Sequence, residues 1–253
     1  MSEFRKYMVH NINNDEMWTT LENNYSKYFV KDQEIVNIPK KIHQIWLGGS
    51  FPDKYKRIRD TWIRNNPDWE YRLWTDDDVE KFGMQNIDNY NRTNNLGSKS
   101  DIFRYEILYR YGGLYIDTDF ECLKSFNDLT HLDFFTGTGH IDSPVVFNGL
   151  IACKPKHNII KKLIDDISVI STNDFNKIMD ITGPIYFSNI LFDYIRTHPN
   201  EKIVVFPTIF FYAFPAVHRQ SVRSDDVVSQ NLVKQFCIEE SYCVHLWYTS
   251  WQK

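Results

Sequence analysis

Two aspartates separated by one residue follow a short apolar run near the middle of the chain. Residues 114–116 predict a strand that ends in Asp117-Thr118-Asp119, and the period of two along a strand puts both carboxylates on one side. Such carboxylates repel each other unless one stays protonated or a cation binds between them. Mn²⁺ or Mg²⁺ is the simpler answer, because both favour oxygen ligands and share them with substrate phosphates. The pair therefore predicts a site for a metal-bound phosphate or diphosphate beyond the carboxyl end of a strand.

The acidic pair comes directly after a predicted helix over residues 99–111, which Gly112 and Gly113 would end. Apolar residues are spread over nearly all faces of this helix, so we expect it to be buried against the sheet. Asp101 and Arg104 are then two buried charges on one face. Either they form a salt bridge with each other, or they point into the cleft of the aspartate pair and bind a polar ligand.

A lone Asp-x-Asp also occurs by chance and in surface turns, but the residues around this one form a more specific pattern. The pattern reads Ser100-Asp101-x-x-Arg104-Tyr105 and then Tyr111-Gly112-Gly113-x-Tyr115-x-Asp117-x-Asp119. It resembles the signature of the DXD-containing sugar transferases of glycosyltransferase family 32. It is also similar to the catalytic domain of the large clostridial glucosylating toxins. The resemblance extends over about residues 38–251 and is dense in three places.

This resemblance implies an α/β fold of the GT-A type, a Rossmann-like mixed sheet flanked by helices. It implies retaining transfer of a hexose from a nucleotide-diphosphate sugar to a hydroxyl of a glycan, protein or lipid. A UDP-sugar is the favoured donor and GDP-mannose is the other. Asp117 and Asp119 would hold Mn²⁺ or Mg²⁺, Arg104 would orient donor hydroxyls, and Asp101 would bind ribose or sugar hydroxyls. These four are the implied catalytic residues, and Tyr115 is assigned to the donor pocket.

A tryptophan lies at the end of the first predicted strand, in the segment 38–49, which reads IPKKIHQIWLGG. Trp46 is either a core residue or a platform for a ligand. The resemblance favours the second interpretation, with Trp46 stacked on the nucleotide base and Leu47 and Gly48 beside it in the donor pocket. Stacking on a flat heterocycle contributes about 1–3 kcal/mol. His43, in the middle of the strand, is predicted to be a structural histidine.

The end of the chain offers a third group of candidate residues. Residues 242–247 predict a strand that contains His245, and a histidine in a strand is usually structural. The resemblance instead implies that this tail closes over the diphosphate, with His245 in the metal shell and Ser250 and Trp251 contacting metal and phosphate. Asn148 interrupts an apolar run, and the resemblance implies that it lines the sugar side of the pocket.

The order of predicted elements indicates one catalytic domain, residues 37–253, preceded by a helical appendage, residues 1–36. In the appendage a helix over residues 15–29 carries an apolar stripe, which we expect to pack on the main domain; a membrane-touching or partner-binding face is the alternative. A predicted helix at 53–66 and a strand at 69–74 follow the first strand and predict parallel pairing. Thr75-Asp76 is predicted to cap a helix over residues 77–82 and not to bind metal.

Composition narrows the class of protein. The chain has 253 residues, 42% of them hydrophobic, and a net charge of −4 without long blocks of one sign, so nucleic acid is not an expected partner. The four cysteines show no metal-ligand or disulfide spacing. No segment has the apolar length of a transmembrane helix or the pattern of a signal peptide. The expected location is therefore the cytoplasm. The family resemblance implies the Golgi lumen instead if an N-terminal anchor has been removed.

Two further functions fit the acidic motif. A phosphatase of the haloacid dehalogenase type also places Asp-x-Asp after an apolar strand, and Asp165-Asp166 could serve as its later acidic pair. That motif, however, lies near the start of its domain and is followed by Thr or Val, where this chain has Glu121. The non-enzymatic alternative is a module that binds a nucleotide sugar without turning it over.

Overall fold

The first part of the main domain alternates strand and helix, as the apolar periodicity predicts. The computed structural model describes residues 2–9, 15–30, 34–140, 145–170, 175–222 and 227–248. In it β1 (Lys41–Ile45), α3 (Asp53–Asn65) and β2 (Glu70–Trp74) follow one another. β1 and β2 pair in parallel, from Lys41 opposite Glu70 to Ile45 opposite Trp74. The predicted parallel pairing is confirmed.

The other described elements follow in chain order around this unit. Two helices precede it, α1 (Glu3–Lys6) and α2 (Glu16–Tyr28). The middle of the chain forms α4 (Asp76–Phe82), α5 (Ile87–Arg92), α6 (Leu96–Tyr111), β3 (Gly113–Ile116), β4 (Phe120–Cys122), β5 (Phe134–Gly137) and β6 (Leu150–Cys153). The last part forms α7 (Asn158–Asp165), α8 (Phe175–Ile181), α9 (Pro184–Thr197), β7 (Ile203–Phe206), α10 (Thr208–Phe211), α11 (Val227–Lys234) and β8 (Cys243–His245). Short 3₁₀ turns lie at Asn127–Leu129 and Ala216–Val222.

A mixed sheet of six strands, in the order β2-β1-β3-β6-β5-β7, forms the centre of the fold. β3 runs parallel to β1 and antiparallel to β6, and β7 runs parallel to β5. A second sheet pairs β4 with β8 in antiparallel fashion, Phe120 opposite His245. This small sheet joins the chain just after the acidic pair to the C-terminal segment.

Helix α6 is buried on most of its sides, as its apolar residues predict. It ends at Gly112 and Gly113, which have φ angles of +61° and +93°. A Cβ on Gly113 would lie 2.6 Å from the carbonyl oxygen of Lys41 on β1, so only glycine fits there. The two glycines let the buried helix turn at once into the central strand β3, and this turn fixes Asp101 and Arg104 relative to Asp117.

The N-terminal helices pack on the edge of the sheet. Leu21 and Tyr25 of α2 are buried, and the Tyr25 ring lies edge-on to Phe206 of β7 at 5.8 Å between centroids. The expectation that the apolar stripe packs on the main domain is confirmed for these residues. The boundary at residue 36 stays a prediction. Within the described part of the chain, no helix combines the length and apolar character needed to cross a membrane.

The acidic motif differs from its prediction in local structure. Strand β3 ends at Ile116, and the next residues form a turn in which the Phe120 N–H donates to the Asp117 carbonyl at 3.2 Å. The alternation of a strand therefore does not place the two carboxylates together, and this part of the reasoning is wrong. The two carboxylates still lie close together, since their ligand atoms are within 4.8 Å of each other.

Candidate functional site

A cleft of about 340 Å³ opens at the carboxyl ends of β1 and β3. The structure brings most of the candidate residues from the sequence together in this cleft. They are Trp46, Leu47, Asp101, Arg104, Tyr115, Asp117, Asp119, Asn148 and His245. Gly48 lies one residue beyond Leu47, with a φ angle of +80°. Ser250 and Trp251 lie outside the described residues. Crevices of this kind, beyond the carboxyl ends of strands, are where open α/β sheets bind their ligands.

Three ionisable residues meet in the cleft. Asp117, Asp119 and His245 each offer one ligand atom, and these atoms lie within 4.8 Å of one another. Among the described residues they are the only group of three or more histidine, cysteine, aspartate or glutamate side chains placed to hold a metal ion. Two carboxylates and one imidazole form a mixed oxygen and nitrogen set, which suits Mn²⁺ better than Ca²⁺. The predicted metal residues therefore fit a divalent cation.

Asp119 is the more firmly held of the two carboxylates. Its Oδ1 is 3.0 Å from Nε2 of His245, and its Oδ2 accepts the backbone N–H of Tyr248 at 2.8 Å. Burial acts to raise the pKa of Asp119, but the charge and hydrogen bond of His245 and the Tyr248 N–H outweigh it, so the pKa is lowered. Asp119 is thus ionised at neutral pH, as a metal ligand must be.

Asp117 is held from the other side by the helix α6 and by its own strand. Its Oδ1 accepts the hydroxyl of Tyr115 at 2.7 Å and lies 3.4 Å from Nη2 of Arg104. Burial raises the pKa of Asp117 more than the charge of Arg104 lowers it. Gly149 lies directly against the second oxygen, since a Cβ built there would be 2.7 Å from Oδ2. The absence of a side chain at residue 149 therefore leaves room for this carboxylate.

The sequence leaves two arrangements open for Arg104 and Asp101, a mutual salt bridge or a position in the cleft, and the structure shows both. Nη2 of Arg104 lies 3.2 Å from Oδ1 of Asp101, and the same nitrogen faces Asp117. Nη1 donates to the Asn148 carbonyl at 2.6 Å, and the guanidinium lies 4.5 Å from the ring centre of Tyr115. The pair is a buried salt bridge and also part of the cleft.

Asn148 finds its partners inside the protein. Its Nδ2 donates to Oδ1 of Asp101 at 2.8 Å, and Oδ2 of Asp101 accepts the Thr182 hydroxyl at 3.1 Å. Burial, offset in part by Arg104, raises the pKa of Asp101 to about 6. Thr182 was not a candidate from the sequence; the only signal was its position before Gly183-Pro184, at the start of α9.

Trp46 lies at the cleft wall and is only partly buried. Its Nε1 donates to the Ser50 carbonyl at 3.1 Å, and its ring lies 4.7 Å from that of Tyr55. The side chain is therefore held by the protein while part of its surface faces the cleft. His43, by contrast, is buried, with Nε2 on the Gly112 carbonyl and Nδ1 accepting from Trp74, so its predicted structural role is confirmed.

Several cleft residues escaped the sequence reasoning. Tyr212, Phe147 and Arg219 line the cleft but belong to no motif. Tyr212 and Arg219 lie in the aromatic segment FYAFPAVHR, residues 211–219. The sequence indicates only that this segment is a loop, which forms either a wall of the acceptor site or a packed lid. Nothing in that segment separates a buried wall residue from an ordinary core aromatic.

Comparison with known proteins identifies the region that holds the acidic motif. A family model described as "Glycosyltransferase sugar-binding region containing DXD motif" matches residues 52–135, which include Asp101, Arg104, Asp117 and Asp119. Residues 52–135 are thus similar to the DXD sugar-binding region of glycosyltransferases. The match does not reach Trp46, Asn148 or His245, and the roles of all the site residues stay predictions.

Curated relatives of the DXD region carry transferase names. The chain is 29% identical over 190 residues to inositol phosphoceramide mannosyltransferase 1 of Schizosaccharomyces pombe, covering 70% of this chain and 58% of that protein. It is 26% identical over 175 residues to an uncharacterized glycosyltransferase, L373, of Acanthamoeba polyphaga mimivirus, covering 66% and 69%. The chain thus spans less than two thirds of the first of these relatives.

Solved structures confirm the fold. The PaToxG glycosyltransferase aligns with a TM-score of 0.52 at 20% identity, over 71% of this chain and 76% of that chain. The UDP-bound glycosyltransferase domain of the YGT toxin aligns with a TM-score of 0.50 at 11% identity, over 80% and 90%. At these identities the likeness concerns the fold alone, which is of the GT-A type. The resemblance to DXD sugar transferases and to toxin glycosyltransferase domains is therefore confirmed.

Proposed function

We propose that the protein transfers a hexose from a nucleotide-diphosphate sugar to an acceptor hydroxyl, with a divalent cation and with retention of the anomeric configuration. One observation carries the proposal: Asp117, Asp119 and His245 meet within 4.8 Å in a cleft that Trp46 also lines. A site for a cation and a surface for a base in one cleft are what a nucleoside diphosphate requires. The match of the DXD region to the glycosyltransferase family model supports the same conclusion.

Asp117, Asp119 and His245 would hold Mn²⁺ or Mg²⁺, with the remaining positions left to diphosphate oxygens. When bound, the cation supplies positive charge where the departing nucleotide gains negative charge on its β-phosphate. Tyr115 and Arg104 keep Asp117 in place through its Oδ1. In this proposal the acceptor attacks from the face that the leaving group vacates, and the protein supplies no nucleophile.

Arg104 would also orient the donor. A guanidinium has five N–H groups. Nε–H donates to the Ser100 carbonyl, Nη2 faces Ser100 Oγ, Asp101 and Asp117, and Nη1 donates once, to the Asn148 carbonyl. One N–H of Nη1 is left to bind a donor hydroxyl. Asp101, fixed by Asn148 and Thr182, would accept from a ribose or sugar hydroxyl beside it.

The donor is proposed to be a UDP-sugar, with GDP-mannose as the second choice. A UDP-bound domain among the structures of similar fold supports the first, and relatives named as mannosyltransferases support the second. Trp46 would stack on the base, beside Leu47 and Gly48. For the acceptor, a lipid is the first class to test, because several relatives are named inositol phosphoceramide mannosyltransferases; a glycan and a protein come next.

A screen of nucleotide sugars for Mn²⁺-dependent hydrolysis tests this function. We expect one donor to be hydrolysed with Mn²⁺ and not with EDTA. Once the acceptor is supplied, we expect the sugar to pass from the donor to the acceptor hydroxyl in place of water, with release of the nucleoside diphosphate. Binding without turnover at every Mn²⁺ concentration would instead indicate a binding module. Release of phosphate from a simple phosphomonoester would indicate a phosphatase.

Among the described residues that line the cleft there is no second acidic pair for the phosphatase. Asp165 is the last residue of α7 and Asp166 follows it; they pair with Lys161 and Lys162 one turn earlier, and neither lines the cleft. The third carboxylate that lines the cleft belongs to Asp101 of α6, which shares Nη2 of Arg104 with Asp117.

A further inference from the structure

Two buried polar atoms in the cleft lack a hydrogen-bond partner. Among the described residues, five buried side-chain atoms have none: Trp18 Nε1, Tyr25 Oη, His157 Nε2, Tyr212 Oη and His245 Nδ1. Of these residues only Tyr212 and His245 line the cleft. A buried donor or acceptor without a partner destabilises a fold, because it has lost its bonds to water. Where such atoms lie beside a cleft, a bound ligand can supply the missing partner.

The ring of Tyr212 is held firmly from several sides. It lies edge-on to Phe120 at 5.2 Å and to His245 at 5.7 Å, and it contacts Phe147 at 5.5 Å between centroids. The residue is fully buried, and its backbone pairs with Val244 of β8. The ring therefore cannot turn its hydroxyl out to bulk water.

The hydroxyl of Tyr212 is a hydrogen-bond donor on a residue that lines the same cleft as Asp117 and Asp119. Burial, and then the charge of Asp117, raises its pKa well above 10, so it keeps its proton. A ligand atom that accepts from Tyr212 would lie in the same cleft as the carboxylates of Asp117 and Asp119.

We propose that Tyr212 binds the donor directly, its hydroxyl donating a hydrogen bond to a hydroxyl of the transferred sugar; this inference rests on the proposed function. A sugar hydroxyl can accept from Tyr212 and donate to a neighbouring carboxylate at the same time. Two rings that line the cleft also contact Tyr212, Phe147 at 5.5 Å and Trp247 at 6.0 Å between centroids. The C–H faces of a sugar pack well against such rings.

The variant Tyr212→Phe tests the inference, because it removes only the oxygen atom. Tyr25→Phe is the matched control: Tyr25 also carries a buried hydroxyl without a partner, but it packs on β7, outside the cleft. UDP-glucose, UDP-galactose and GDP-mannose serve as probes, with Mn²⁺. The measurements are the melting temperature, kcat and KM for hydrolysis of the best donor, and the affinity for the corresponding nucleoside diphosphate.

We expect both variants to melt at or above the temperature of the wild type, since each loses an unsatisfied hydroxyl. Tyr212→Phe should lower kcat/KM for the sugar donor at least tenfold and leave the affinity for the nucleoside diphosphate within twofold, whereas Tyr25→Phe should change neither. Wild-type activity retained in Tyr212→Phe would overturn the inference while the proposed function stands. A clear drop in the melting temperature of Tyr212→Phe would also overturn it, because the hydroxyl would then have a structural partner. A wild type that neither binds nor hydrolyses any probe would overturn both proposals.

Discussion

The fit between Gly149 and Asp117 leads to a sharp prediction. A Cβ at residue 149 would lie 2.7 Å from Oδ2 of Asp117, about 0.7 Å short of the 3.4 Å at which ordinary contacts begin. The carboxylate cannot move freely, because Oδ1 is bonded to Tyr115 and faces Arg104. In Gly149→Ala the oxygen must therefore rotate or withdraw by more than half an ångström. A misplacement of about 1 Å in a reacting site costs about 100-fold, so we expect a loss of roughly 10- to 100-fold in kcat/KM.

Donor hydrolysis at a series of Mn²⁺ concentrations is the assay. If displacement of a metal ligand is the cause, the apparent affinity for Mn²⁺ weakens together with kcat/KM. Asp117→Asn keeps the shape of the side chain and removes its charge. Its loss of kcat/KM and of Mn²⁺ affinity is therefore the largest that we expect for Gly149→Ala. The φ angle of Gly149 is not in the left-handed region, so alanine adds no backbone strain and the melting temperature should stay close to that of the wild type. Full activity of Gly149→Ala with unchanged Mn²⁺ affinity would refute the reasoning.

Three further predictions follow from the site and the core. Asp119→Asn should abolish Mn²⁺-dependent donor hydrolysis and keep a native circular dichroism spectrum; undiminished turnover would count against Asp119 as a ligand. Trp46→Ala should weaken nucleotide binding about 10- to 100-fold by calorimetry and spare Mn²⁺ affinity, whereas a large loss of stability would favour a core role. Burial lowers the pKa of His43 from 6.5 to about 4, so stability present above pH 6.5 should fall by about 3 kcal/mol as the pH drops to 4. Denaturant unfolding at pH 7 and pH 4 measures this loss of stability. If His43→Gln lost as much stability between these pH values as the wild type, His43 would not be the cause.

The sequence predicts those parts of the fold where one apolar pattern determines one element. The helix α3 and the strands β1 and β2 appear close to their predicted bounds, because each carries a clear period and a clear stop. The sequence also predicts a helix over residues 158–170 and a strand over residues 145–153. The helix is shorter and ends at Asp165, and the strand begins only at Leu150. In both cases the apolar run is longer than the regular structure.

Within the site, the sequence finds charged residues and misses neutral ones. Asp101, Arg104, Asp117 and Asp119 are recognisable because charge in an apolar stretch needs a reason. Tyr212 gives no such signal in a chain in which 16% of the residues are aromatic. Its distinguishing property, a buried hydroxyl with no partner, is a property of the packed structure. The argument from the period of a strand is wrong for Asp117 and Asp119, because the two residues lie in a turn and not in a strand.

Asp119 links the acidic pair to the C-terminal segment. Its backbone carbonyl accepts the Leu246 N–H at 2.9 Å, and its carboxylate meets both His245 and the Tyr248 N–H. Occupancy at Asp119 and the position of residues 245–248 are therefore thermodynamically linked, and each affects the other by the same factor. A molecule that docks on the outer side of this segment and favours one position of it over another would consequently change occupancy at Asp119 without entering the cleft.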